Sequence, residues 1–229
     1  MSHSVIGLFC LALTLVGYYA SKALYRRQRK VWFAPIIIAP VIILSVVVSL
    51  NITVSDYFSY THWLAAMLAP ATIAFAVPIY RERQLIKQYP ITLSFGVITG
   101  LLLGIGSSWL LTLCTNMPSQ ISHSLMVRSV STPFAIEATG AFGGVPELTA
   151  MLVLLTGIMG MVICEPLFKV ANIRSSVAKG VALGASAHGA GAAKASEIGR
   201  QEGVIASLTM IFTGIAMVLT APLFAALIR

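Results

Sequence analysis

The chain has 229 residues, of which 58% are hydrophobic and only 10% charged, with a mean hydropathy of +0.91. A soluble domain carries roughly 25% charged residues, so a soluble enzyme, a disordered chain and a disulfide scaffold are excluded. The net charge of +8 is spread over short runs between apolar stretches, which is a topology signal and not a nucleic-acid surface.

A membrane-crossing helix needs about 20 apolar residues, and cutting the chain at its charges gives seven such runs. The first, Ser4 to Ser21, is closed by Lys22, Arg26, Arg27, Arg29 and Lys30. No Lys or Arg precedes it, the reverse of a cleavable signal peptide. The second, Val31 to Ser55, holds Pro35 and Pro40; the third, Tyr57 to Tyr80, holds Pro70 and Pro78. The fourth runs from Gln88 to about Met117, and its Gly96, Gly100, Gly104 and Gly106 permit close helix packing. Pro118 to Pro146 is too polar to face lipid and too apolar for a solvent loop, which fits a re-entrant hairpin. Spans five to seven are Leu148 to Phe168, Gly180 to Ser196 and Gly203 to Ile228.

With the N-terminus outside, this layout puts 12 Lys and Arg inside and 3 outside, as the positive-inside rule asks. The expected architecture is all-α: seven spans plus the hairpin, divided as 1–30, 31–117, 118–146 and 147–229. Spans two to four and five to seven have opposite orientations, the arrangement of transporters with inverted repeats. Ala69, Ala71, Ala74 and Ala76 recur as Ala185, Ala187, Ala190 and Ala192, 116 residues on.

Polar residues inside these apolar runs are the candidate site. Pro70 either breaks the third span, so that a fresh half-helix exposes its amides and Thr72 to an anion, or merely kinks it. The sixth span reads GASAHGAGAAKA from Gly184, with no Leu, Ile, Val or Phe, and must be enclosed by other helices. His188 sits near its midpoint, where Gly189 and Gly191 permit a second break. Lys194 either contacts a ligand or snorkels outward to pair with Glu197. In the hairpin, Arg128 suits a carboxylate held by two parallel hydrogen bonds, Ser131 and Thr132 add hydroxyls, and Pro133 breaks the chain. Glu137 is either the counter-ion of Arg128 or, like His188, a proton carrier. Glu165 is expected to pair with Lys169 four residues later. Cys10, Cys114 and Cys164 have no metal-ligand spacing, so neither a metal nor a cofactor is expected, and no catalytic motif is present.

LAPATIAFAVPIY, RSVSTPFAIEATGAFGG followed by PELTA, and AHGAGAAKASEIGRQEG resemble the signatures of the LrgB/CidB family of bacterial inner-membrane proteins, over nearly the whole chain. Ala69 and Ala192 depart from it, standing where glycine and threonine are expected. The family's motif positions fall on Pro70, Thr72, Arg128, Ser131, Thr132, His188 and Lys194. The resemblance implies either antiholin-like control of murein hydrolases and lysis, or movement of small carboxylates such as pyruvate, glycolate or glycerate. It also implies assembly with a small LrgA/CidA-type membrane protein, and an oligomer is expected. The residues favour a monocarboxylate transporter working by alternating access, with its N-terminus outside and its C-terminus inside.

Overall fold

The computed structural model describes residues 3–28 and 30–228. Arg29 and Arg229, two of the basic residues counted above, lie outside them. The described residues are helical, without strands, and form two compact units, 1–71 and 72–229. The boundary falls inside the third predicted span.

In the first unit, α1 (His3–Gln28) packs on α2 (Pro35–Ser49) and α3 (Val54–Ala66). Gly7 makes room for Ser59 and Tyr60, and the Thr14 and Tyr57 hydroxyls meet at 3.0 Å. Pro35 opens α2 at a position where its missing N–H costs nothing. At 15 residues, α2 is only about 22 Å long.

The third span continues from α3 as α4 (Leu68–Ala74) and α5 (Ala76–Arg81). The interruptions at Met67 and Phe75 lie three residues before Pro70 and Pro78, each of which removes a hydrogen bond to the residue four back. Met67 nonetheless keeps helical angles, and its amide still bonds to the Trp63 and Leu64 carbonyls. Pro70 therefore kinks this span and opens no half-helix there.

After α6 (Arg83–Gln88), the second unit runs α7 (Pro90–Cys114), α8 (Ser119–Leu125), α9 (Thr132–Phe142), α10 (Pro146–Val170), α11 (Ser176–Ile198) and α12 (Arg200–Ile228). Five stretches are long and apolar enough to cross a membrane: α1, α3 to α5 taken together, α7, α10 and α12. The predicted sixth span is not among them. α11 breaks at His188, whose backbone (φ 39°, ψ −120°) is far from helical.

The break turns the chain back on itself. A Cβ on Gly180 would sit 2.8 Å from Ile205, and one on Gly203 would sit 2.8 Å from the Ser196 Cα. Positions 180 and 196 thus both touch the first turns of α12, although a straight helix would hold them about 24 Å apart. Gly191 abuts the Leu183 carbonyl, from which any side chain would exclude it. α11 is a helical hairpin with both ends beside the start of α12; the expected break is present, and the expectation that Gly180 to Ser196 crosses the membrane is corrected. Its small residues permit this: Gly184 lies against the backbone of Ala206, while Gly157 and Gly160 of α10 accept His188 and Ala187.

The segment 118–146 is also a hairpin, α8 and α9 joined by the turn 126–131. α7 and α10 are each 25 residues long and start at a proline, 56 positions apart. Their buried faces share that register: Leu93, Val97, Leu101, Ile105 and Ser108 on α7 correspond to Thr149, Val153, Gly157, Met161 and Cys164 on α10. Each of these helices is followed by a hairpin. The two halves of the second unit thus share a period of 56 residues.

Candidate functional site

The turn of the first hairpin follows from its sequence. Ser131, in extended conformation, caps α9, and Pro133 occupies its first turn, where no amide partner is needed. Pro133 thus starts a helix and does not break one. α9 ends at Gly143, whose φ of 73° favours glycine. The hairpin is fastened to α10 by the Val145 amide, which donates to the Ser124 hydroxyl at 2.8 Å, and by the Thr139 and Thr149 hydroxyls, 2.9 Å apart.

Arg128 projects from this turn to α7. Its Nε donates to the Ser108 hydroxyl and its Nη2 to the Ser107 hydroxyl, both at 3.0 Å. Ser129 sits on Gly104, where a Cβ would displace it. A cavity of about 600 Å³ is lined here by Arg128, Ser129 and Ser107 together with Thr156 of α10 and Ala185 and Ser186 of α11. A second cavity, of about 530 Å³, shares Arg128, Thr156 and Ser186. Among the described residues, Arg128 is the sole charged one lining either. The turn of one hairpin and the arm of the other, two residues before its own turn, therefore border one space.

Among the described residues, the buried side-chain N and O atoms without a hydrogen-bond partner are Ser129 Oγ, Ser131 Oγ and His188 Nε2. All three belong to the two hairpin turns. Leaving such an atom unpaired costs about 1–3 kcal/mol, so each such group calls for an explanation. Moreover, α9 and the second arm of α11 both begin at these turns, and their first amides have no acceptor within their own helix. Arg128 and the Ser129 hydroxyl make the cavity a setting for an anion, whereas Ser131, His188 and the two helix N-termini line neither cavity.

The other predicted residues likewise line neither cavity. Thr72 is on α4 and lines neither cavity; Thr132 is the first residue of α9, half-buried. Glu137 is exposed and makes no ion pair among the described residues, so it is not the counter-ion of Arg128. Lys194 is buried and bound to Glu165 of α10 at 2.7 Å, with Glu197 at 3.5 Å. The expected pairing of Lys194 with Glu197 is thus present, while the reversal at His188 adds Glu165 as its nearer partner, so that Glu165 pairs with Lys194 in place of the expected Lys169. Gly189 and Gly191 follow the break, which falls on His188 itself.

Sequence reasoning missed Ser107 and Ser108, whose signal was two adjacent hydroxyls inside an apolar span. It also missed Gly157 and Gly160, a small-residue pair on α10 at helical spacing.

The fold and the site define a multi-pass helical membrane protein with a cationic cavity between paired hairpins. The chain belongs to the LrgB-like family, which matches residues 14–227. It is 34% identical to the uncharacterized protein YwbG of Bacillus subtilis, over 95% of this chain and 96% of the relative. It is 26% identical to the antiholin-like protein LrgB of the same organism, over 100% and 99%, and 27% identical to the holin-like protein CidB of Staphylococcus aureus, over 94% of each. No solved structure matches it.

Proposed function

We propose that the protein moves a small monocarboxylate, of the pyruvate or glycolate kind, across the bacterial inner membrane by alternating access. The observation that carries this reading is the cavity lined by Arg128 and by Ser129, whose buried hydroxyl has no partner, with the two other unpartnered buried polar atoms, on Ser131 and His188, in the same two hairpin turns. A protein that only assembles with others gains nothing from unpaired polar atoms at that depth. Arg128 neutralises the carboxylate, the serine hydroxyls orient it, and each hairpin closes one side. His188 is the proton carrier if transport is proton-coupled.

In this reading α7 with its hairpin and α10 with its hairpin form an inverted repeat, one hairpin entering from each face. With α2 counted as a short span there are six crossings, so the C-terminal end of α12 is outside, like the N-terminus. Lys194 and Arg200 then move to the inner side, which strengthens the positive-inside bias.

The names of the relatives, antiholin-like and holin-like, favour a second reading more directly: control of murein hydrolase activity and lysis, which the family resemblance implies to run through a LrgA/CidA-type partner. Uptake of labelled pyruvate and glycolate into proteoliposomes, with and without such a partner, separates the two. Saturable uptake lost in Arg128→Ala supports transport. No uptake from folded protein in either assembly leaves the regulatory reading.

A further inference from the structure

We infer that Ser107 and Ser108 are positioning residues that select a planar oxyanion, by fixing which edge of the Arg128 guanidinium faces the cavity. This rests on the reading of that cavity as the anion site.

The hydrogen bonds set the direction of the network. Both serine hydroxyls donate to the Gly104 carbonyl, Ser108 at 2.8 Å and Ser107 at 3.1 Å. With their hydrogens used there, the two oxygens accept from Arg128, Ser108 from Nε and Ser107 from Nη2. Nε and Nη2 form the side edge of the guanidinium. The end edge, with one Nη1 hydrogen and the second Nη2 hydrogen, is left for a ligand. That edge presents two parallel N–H groups, the geometry that matches the two oxygens of a carboxylate. A spherical anion such as chloride meets both N–H groups with a single centre and so makes two bent hydrogen bonds where a carboxylate makes two straight ones.

Gly104 is the node of the arrangement. Its carbonyl orients both serines, and its bare α-carbon seats Ser129, whose hydroxyl is itself unpartnered. One helical turn of α7 thus aims the cation and places a second donor beside it.

Two readouts on the full chain test this: pyruvate binding to the detergent-purified protein, and pyruvate uptake into proteoliposomes with chloride as competitor. Ser107→Ala and Ser108→Ala are each expected to raise the pyruvate Kd and KM roughly tenfold, with maximal rate and chloride inhibition within about twofold. Ser107→Thr, which keeps the hydroxyl on an exposed position, restores pyruvate binding. Arg128→Lys, a point charge without the fork, loses the preference for pyruvate over chloride. Pyruvate constants within twofold of wild type in both alanine variants overturn the inference and leave the transport reading standing. Wild-type binding without uptake removes the transport reading, and the serine assignment is then decided by Kd alone. Wild-type protein that binds no pyruvate overturns both.

Discussion

Replacing His188 by glycine and by alanine turns the break in α11 into a measurable sign. In a straight helix, glycine is less favourable than alanine by about 1 kcal/mol. At φ 39° and ψ −120° the order reverses, because alanine keeps the Cβ that makes this conformation costly. A side-chain-bearing residue held there costs on the order of 1–3 kcal/mol, and glycine removes that cost. Both replacements lose the buried ring and its unpartnered Nε2, so those contributions cancel in the comparison. His188→Gly is therefore expected to exceed His188→Ala in stability by about 1–2 kcal/mol, some 2–8 °C in thermal midpoint for a chain of this size. Thermal unfolding of the two variants in one detergent measures it. Higher stability for His188→Ala would refute the break.

Glycines sort by what surrounds them. Gly191→Val and Gly184→Val face backbone atoms of Leu183 and Ala206 and should cost about 1–3 kcal/mol or more, whereas Gly106→Ala, with open space around it, should be neutral or slightly stabilising; denaturation midpoints check both. The Lys194–Glu165 pair predicts non-additivity: Glu165→Gln leaves a buried ammonium with Glu197 alone at 3.5 Å, so it should destabilise more than the double variant Glu165→Gln with Lys194→Met. A double-mutant cycle reads the coupling, and additive effects would contradict the pair.

Much of the fold was legible because lipid imposes simple rules. The glycine stripe of α7 was recognised as a packing surface, and Gly96, Gly100 and Gly104 do receive Val181, Ala185 and Ser129. The polar stretch 118–146 stood out between apolar runs and is a hairpin. α11 was misread for a physical reason: a run of Gly and Ala has the same hydropathy whether it crosses or turns back. Its reversal is specified by distant partners, Gly157, Glu165 and Ala206, and no local period reports them. Arg128, Ser131 and His188 were conspicuous as polar residues in apolar surroundings. Ser107 and Ser108 were not, because serines in a helix commonly bond their own backbone, as these also do. Glu165 was assigned to Lys169 because a neighbour one turn away is the only partner that sequence alone can offer.

The doubling back of α11 carries the account, since it brings the second hairpin to the cavity and fixes the number of crossings. Its direct test is sided labelling of Ser175→Cys and Glu197→Cys, one at each end of α11, in a background lacking Cys10, Cys114 and Cys164. The account predicts that a membrane-impermeant thiol reagent reaches both from the same side of sealed vesicles. Labelling from opposite sides would make α11 a crossing helix and contradict it.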